Sequence, residues 1–153
     1  MKLEKSISFW ILIIFGILLN IIYLIGQTMA FINYEWTVSV ELQEPEIEIT
    51  EIGVAFNKGF GLADTFIYIP IFIIALIGIF KEKIFGIFFM FGFLSITAYW
   101  PVVCLSAVFF AKGSPNWHFT DYTFYSIILS LITIYGIWGI FYLLKSIGLS
   151  KSN

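Results

Sequence analysis

Three side chains near the ends of apolar segments could take part in proton transfer. His118 is the only histidine, Asp121 follows it by three residues, and Asp64 precedes another apolar run. An imidazole beside a carboxylate is a common arrangement for general acid–base catalysis, and the same groups could begin a metal site. No catalytic or metal-binding motif accompanies them. The alternative interpretation is an ordinary loop histidine with two carboxylates that cap helices, and we expect neither a metal nor a cofactor.

Polar side chains also recur inside the apolar segments themselves. Burying such groups in lipid without a partner costs several kcal/mol, so they are candidates for function. Hydrogen bonding between neighbouring helices is the competing interpretation for most of them. The amide of Asn20 needs specific partners, and Tyr68 or Tyr99 is predicted to supply one. The residues predicted to line a ligand pocket are Asn20, Asp64, Tyr68, Tyr99, Trp100, Asp121 and Tyr125.

The composition indicates that lipid surrounds the elements that hold these side chains. Hydrophobic residues make up 60% of the chain, aromatic residues 20% and charged residues 12%, which is not the composition of a soluble domain. The single cysteine, Cys104, excludes an intrachain disulfide. A net charge of -2 and scattered lysines argue against nucleic acid as a partner.

Four apolar stretches are each long enough to cross a bilayer, which takes about 20 residues. The predicted helices cover about 7–30, 61–80, 84–110 and 121–145. We therefore predict an all-α integral membrane protein with one membrane domain, residues 1–153, built as a bundle of four transmembrane helices.

The distribution of lysines predicts the orientation of this bundle. Lysine and arginine are enriched in cytoplasmic loops of membrane proteins. Both termini are therefore predicted to lie in the cytoplasm of a multi-pass protein of the cell membrane. The lysines that flank the termini and the second loop are Lys2, Lys5, Lys81, Lys83, Lys145 and Lys151.

The first loop, about 35–53, is predicted to lie outside and to be strand-like. Apolar and polar residues alternate in 36–42 and again in 46–52, on either side of a turn that contains Pro45. Alternation of this kind favours a β-hairpin. Its glutamates are expected to form a solvated edge; a cation site is the alternative.

Most polar groups fall in the predicted outer half of the bundle, whereas the inner halves are almost wholly apolar. This pattern favours a pocket that opens outward and binds a hydrophobic or amphipathic small molecule of lipid-like chemistry, with membrane lipids around it. Two alternatives stay open. One is an assembly subunit that binds a protein partner through residues 36–52, and the other is a small intramembrane enzyme that transfers protons with Asp64, Asp121 and His118.

Overall fold

The computed structural model describes residues 3–119 and 121–149 of the chain. All regular secondary structure in these residues is helical. Four of the helices are long and apolar enough to cross a membrane, which confirms the predicted multi-pass helical bundle. Lys2 and Lys151, used in the predicted orientation, lie outside the described residues. The helices are α1 (Ile7–Ile32), α2 (Tyr34–Ser39), α3 (Glu46–Phe80), α4 (Ile84–Ala111) and α5 (Tyr122–Leu149).

The predicted β-hairpin between the first two long helices is wrong. Helix α2 and the start of α3 occupy this segment, and the described residues contain no strand. Pro45 stands just before α3 with φ of −70°, and Glu46 and Glu48 lie in the first turn of the helix. Acidic side chains in a first turn are stabilised by the helix dipole. Alternation over so few residues does not distinguish a strand from two turns of helix.

Helix α3 begins at Glu46, well before the predicted start at 61. At ~1.5 Å per residue it is about 50 Å long, which exceeds the ~30 Å of a hydrocarbon core. Thr50 interrupts it with φ of 66° and ψ of 167°, so the first turn points in a different direction from the rest. Asp64 lies deep inside this helix, and the interpretation of Asp64 as a capping residue is therefore wrong.

The long helices pack through apolar side chains and close backbone contacts. Helix α4 packs against both α3 and α5, and α1 packs along both halves of α3. A Cβ atom on Gly78 of α3 would lie 2.4 Å from Cα of Gly86 in α4, so only glycine permits this approach. The Tyr135 hydroxyl of α5 donates to the Leu12 carbonyl of α1 at 2.6 Å.

The two ends of the bundle differ in how well they are filled. At the end where residues 81–83 connect α3 to α4, a small pocket of about 30 Å³ lies beside Phe9 and Ile79, with room for about one water molecule. Core side chains such as Phe72, Met90 and Phe93 fill the adjoining layers. The opposite end, which we call the loop-1 end after loop 1 (residues 33–45), holds a much larger space.

Candidate functional site

A cavity of about 770 Å³ opens at the loop-1 end of the bundle. Loop 1, the first turns of α3, the second half of α4 and the start of α5 surround it. Pockets for small molecules usually measure about 300–1,000 Å³. The cavity is therefore large enough for a lipid-sized or drug-sized ligand.

Most of the cavity wall is apolar. Helices α3 and α4 supply aromatic and aliphatic side chains on facing sides, and α5 adds one more aliphatic group. Such a wall favours hydrocarbon over water because each buried CH₂ group contributes about 0.8 kcal/mol. The main apolar lining residues are Phe56, Phe60, Val103, Ala107, Val108 and Leu129.

One side of the cavity is a hydrogen-bonded polar edge. The Tyr125 hydroxyl of α5 donates to a Glu44 carboxylate oxygen of loop 1. The Asn57 amide of α3 donates to Gln43 Oε1 at 2.7 Å and to the Tyr34 hydroxyl at 3.2 Å. The Tyr34 hydroxyl in turn donates to the Glu44 carbonyl at 2.9 Å. Together these bonds tie loop 1 to both α3 and α5.

Glu44 is the titratable group of this edge. Its burial raises the pKa of the carboxyl group above the ordinary value, while the hydrogen bond from Tyr125 acts in the opposite direction. The negative charges of Glu48 and Asp121 add to the increase in pKa. The edge can therefore offer a ligand either a carboxylate or a carboxylic acid, depending on pH.

No protein-family model, curated protein or solved structure matches this chain. Its function is therefore inferred from the chemistry of the cavity. No group of three His, Cys, Asp or Glu side chains suited to a metal ion occurs among residues 3–119 and 121–149.

Two π-helical turns lie next to the inner end of the cavity. Leu24–Thr28 in α1 and Asp64–Tyr68 in α3 contact one another, and the Thr65 hydroxyl donates to Thr28 Oγ1 at 2.9 Å. Such turns are rare and occur frequently at functional sites. They bring Gln27, which lines the cavity, and Asp64 into the same region of the bundle.

This region contains buried polar atoms that lack a partner. Two buried oxygens, Gln27 Oε1 and Asn20 Oδ1, find no hydrogen-bond partner among the described residues. The Tyr23 hydroxyl and Trp100 Nε1 lie close to each other without a well-formed hydrogen bond. Gln27 and Trp100 line the cavity, and the Tyr23 ring lies 5.4 Å from that of Trp100. Buried polar groups are nearly always hydrogen-bonded. A ligand or water with polar atoms would complete this layer.

The structure brings only some of the predicted pocket residues to the cavity. Trp100 and Tyr125 line it. Asp64 and Tyr68 are buried, with exposures of 7% and 1%, and are not among the lining residues. The Tyr68 hydroxyl is hydrogen-bonded to Thr97 Oγ1 at 2.7 Å, so Tyr68 joins two helices.

Two other predicted pocket residues lie elsewhere. The Asn20 amide donates to the Gly16 carbonyl of its own helix at 2.9 Å, and neither Tyr68 nor Tyr99 is its partner. Tyr99 is 71% exposed on the outside of the bundle.

The predicted acid–base group is not assembled in this structure. His118 and Asp121 are both exposed, whereas Asp64 is buried. Within the described ranges, no hydrogen bond or ion pair joins any two of these side chains. The backbone N–H of His118 donates to the Glu48 carbonyl at 2.8 Å. This bond fixes the loop between α4 and α5 to the start of α3.

The polar cavity residues of loop 1 and of the start of α3 were not predicted from the sequence. The predicted hairpin placed Glu44 in water, and Asn57 fell outside the predicted helices. A helical reading of 46–63 places Gly53, Phe56, Asn57 and Phe60 on one face, and all four line the cavity. This helical spacing was the feature of the sequence from which these cavity residues could have been predicted. Nothing in the sequence distinguishes Glu44 from the neighbouring glutamates.

Proposed function

We propose that this protein binds a hydrophobic or amphipathic small molecule of lipid-like chemistry in the cavity at the loop-1 end. The observation that carries the proposal is a cavity of about 770 Å³ with an apolar wall and one polar edge, formed by Glu44, Asn57 and Tyr125. An apolar pocket with a few convergent polar groups is the usual form of a small-molecule site. The apolar wall would hold a hydrocarbon portion, and the edge would orient a head group.

The proposal places the bundle in a cell membrane with both termini in the cytoplasm. Lys5, Lys81, Lys83 and Lys145 lie at the end opposite the cavity, which agrees with the preference of lysine for cytoplasmic loops. In this orientation the cavity lies in the outer half of the bilayer. A ligand would then enter from the outer leaflet or from the outside.

Cysteine labelling tests the orientation. In a Cys104→Ala background, we expect Ser39→Cys and Glu46→Cys to react with a membrane-impermeant thiol reagent added to intact cells. Glu82→Cys should react only after the cells are opened, because residues 81–83 connect α3 and α4 at the other end. Labelling of Glu82→Cys alone in intact cells would reverse the proposed orientation.

Filling the cavity tests ligand binding. Val103 lines the cavity, whereas the adjacent Val102 is 48% exposed and does not. We expect Val103→Trp to lower the amount of co-purified or bound amphiphile by about tenfold, equivalent to ~1.4 kcal/mol, because the indole occupies the ligand's space. Val102→Trp is the matched control and should retain the ligand.

Mass spectrometry of the extracted ligand, alongside thermal unfolding in the same detergent, measures both variants. Unchanged ligand content in a folded Val103→Trp protein would refute binding in this cavity.

A second candidate function is assembly with a protein partner through the segment 36–52. Ile47 and Ile52 at the start of α3 are 78% and 74% exposed, and glutamates at 46, 48 and 51 flank them. Exposed apolar groups beside charges are typical of interaction sites. Ile47 does not line the cavity, so Ile47→Ser would weaken such a complex in native-size measurements while leaving ligand content unchanged. We do not propose catalysis by His118, because its side chain is not paired with Asp64 or Asp121 in the described structure.

A further inference from the structure

The side chains around the cavity carry negative charge without a matching positive charge. Glu44 and Glu51 line it, and no lysine or histidine does so among the described residues. The two lysines at this end lie over aromatic rings: Lys58 Nζ is 5.7 Å from the Tyr34 ring centre and Lys112 Nζ is 5.3 Å from that of Tyr122. The cavity therefore favours a positively charged ligand over an anionic one.

A further carboxylate lies beyond the inner wall. Asp64 is 7% exposed and has neither a hydrogen bond nor an ion pair within residues 3–119 and 121–149. Its π-helical turn, Asp64–Tyr68, contacts the Leu24–Thr28 turn, which contains the cavity-lining residue Gln27. Burying a charged group without a partner is costly. A cation at the inner end of the cavity would supply that partner.

The neighbouring side chains suit an ammonium group. Gln27 Oε1 is buried and unpartnered among the described residues. Like the Tyr23 hydroxyl, whose ring lies beside Trp100, it can accept hydrogen bonds. The Trp100 ring lies 6.1 Å from that of Phe60 and 5.4 Å from that of Tyr23. Tryptophan is the best aromatic partner for a cation. Acceptors, aromatic faces and a negative charge thus occur together at this end.

We propose that the preferred ligand is an amphiphile with a protonated amine. The ammonium group would lie against Trp100, donate to Gln27 and be neutralised by Asp64, while the hydrocarbon portion would occupy the apolar part of the cavity. This assignment rests on the proposed function and adds the charge of the head group. The cavity offers no basic side chain among the described residues for a phosphate, so a free amine fits better than a zwitterionic lipid.

The experiment compares three probes of equal chain length: dodecylamine, dodecanol and dodecyl sulfate. Each is titrated onto the full-length protein in phosphatidylcholine nanodiscs, and binding to Val103→Trp is subtracted as background. We expect dodecylamine to bind at least about tenfold more tightly than dodecanol, because the charge adds ion-pair and cation–π attraction to the same apolar contact. Dodecyl sulfate should bind most weakly.

Asp64→Asn tests the role of the inner carboxylate. The amide keeps the shape but removes the charge, so dodecylamine should lose its advantage while dodecanol binding stays the same. Addition of phosphatidylethanolamine to the nanodiscs separates two sources of the amine. Lack of displacement would support a free amine, whereas displacement of dodecylamine would refute the preference for a free amine over a zwitterionic lipid.

The outcomes for the two proposals can be told apart. If dodecanol binds above the Val103→Trp background and dodecylamine binds no better in the wild-type protein, the amine is refuted and the lipid-binding cavity stands. If none of the probes exceeds that background, both proposals fail. The wild-type comparison is sufficient even if Asp64→Asn does not fold.

Discussion

Replacing Gly61 by alanine is expected to separate α1 from α3 and to destabilise the protein strongly. A Cβ atom on Gly61 would lie 2.2 Å from the Gln27 carbonyl oxygen and 3.1 Å from the Phe31 backbone nitrogen. Both are backbone atoms, so no side-chain rotation relieves the overlap. Overpacking of this kind typically costs about 1–3 kcal/mol. We also expect loss of bound ligand, because Gln27 lines the cavity.

Gly59 provides the matched control two residues earlier in α3. A Cβ atom there meets no other atom within 4 Å. Because alanine favours a helix by up to about 1 kcal/mol over glycine, Gly59→Ala should unfold at the same temperature as wild type or higher. Thermal unfolding and ligand content are measured for both variants. Equal unfolding midpoints would mean that α1 and α3 do not approach as closely as described.

The four long helices were predictable because their cause is local. An apolar run of about 20 residues needs lipid around it, and in lipid the backbone must satisfy its own hydrogen bonds. Loop 1 has no such constraint. Pro45 marks the turn correctly, but the residues on either side are helical, since helix caps and packing decide between helix and strand over such short stretches.

Packing between helices determined which polar residues reach the cavity. Tyr99 and Trp100 are neighbours in sequence, yet Tyr99 faces outward and Trp100 lines the cavity. The π-helical turns at Leu24–Thr28 and Asp64–Tyr68 also change the rotation of every residue after them, so the regular 100° per residue of an α-helix does not predict which side chains share a face beyond these points. Glu44 reaches the site because loop 1 folds back onto Tyr125, a long-range contact that leaves no periodic signal.

Removing the Tyr125 hydroxyl is expected to give a loss of stability that grows with pH. Burial raises the pKa of Glu44, so the folded state holds its proton more tightly than the unfolded state. This tighter proton binding stabilises the folded state fully at pH values below the ordinary pKa of glutamate. The stabilisation is lost as the pH rises through the higher pKa that Glu44 has in the folded state. The hydrogen bond from Tyr125 opposes this increase in pKa. Tyr125→Phe should therefore extend the loss of stability to higher pH.

At neutral pH, Tyr125→Phe should lower the free energy of unfolding by about 1.5 kcal/mol. This is the lower end of the range for hydrogen bonds to charged groups, and it applies because Glu44 is only half-buried. Glu44→Gln should change stability in the opposite direction at that pH, since it removes the carboxylate that is costly to ionise. Thermal unfolding across pH 4 to 8 is the measurement, and the double variant tests the coupling. Glu41→Gln removes a charge from an exposed position in the same loop and controls for net charge. If Tyr125→Phe behaves identically in the wild-type and Glu44→Gln backgrounds, the two side chains are not coupled and loop 1 is held by Tyr34 and Asn57 alone.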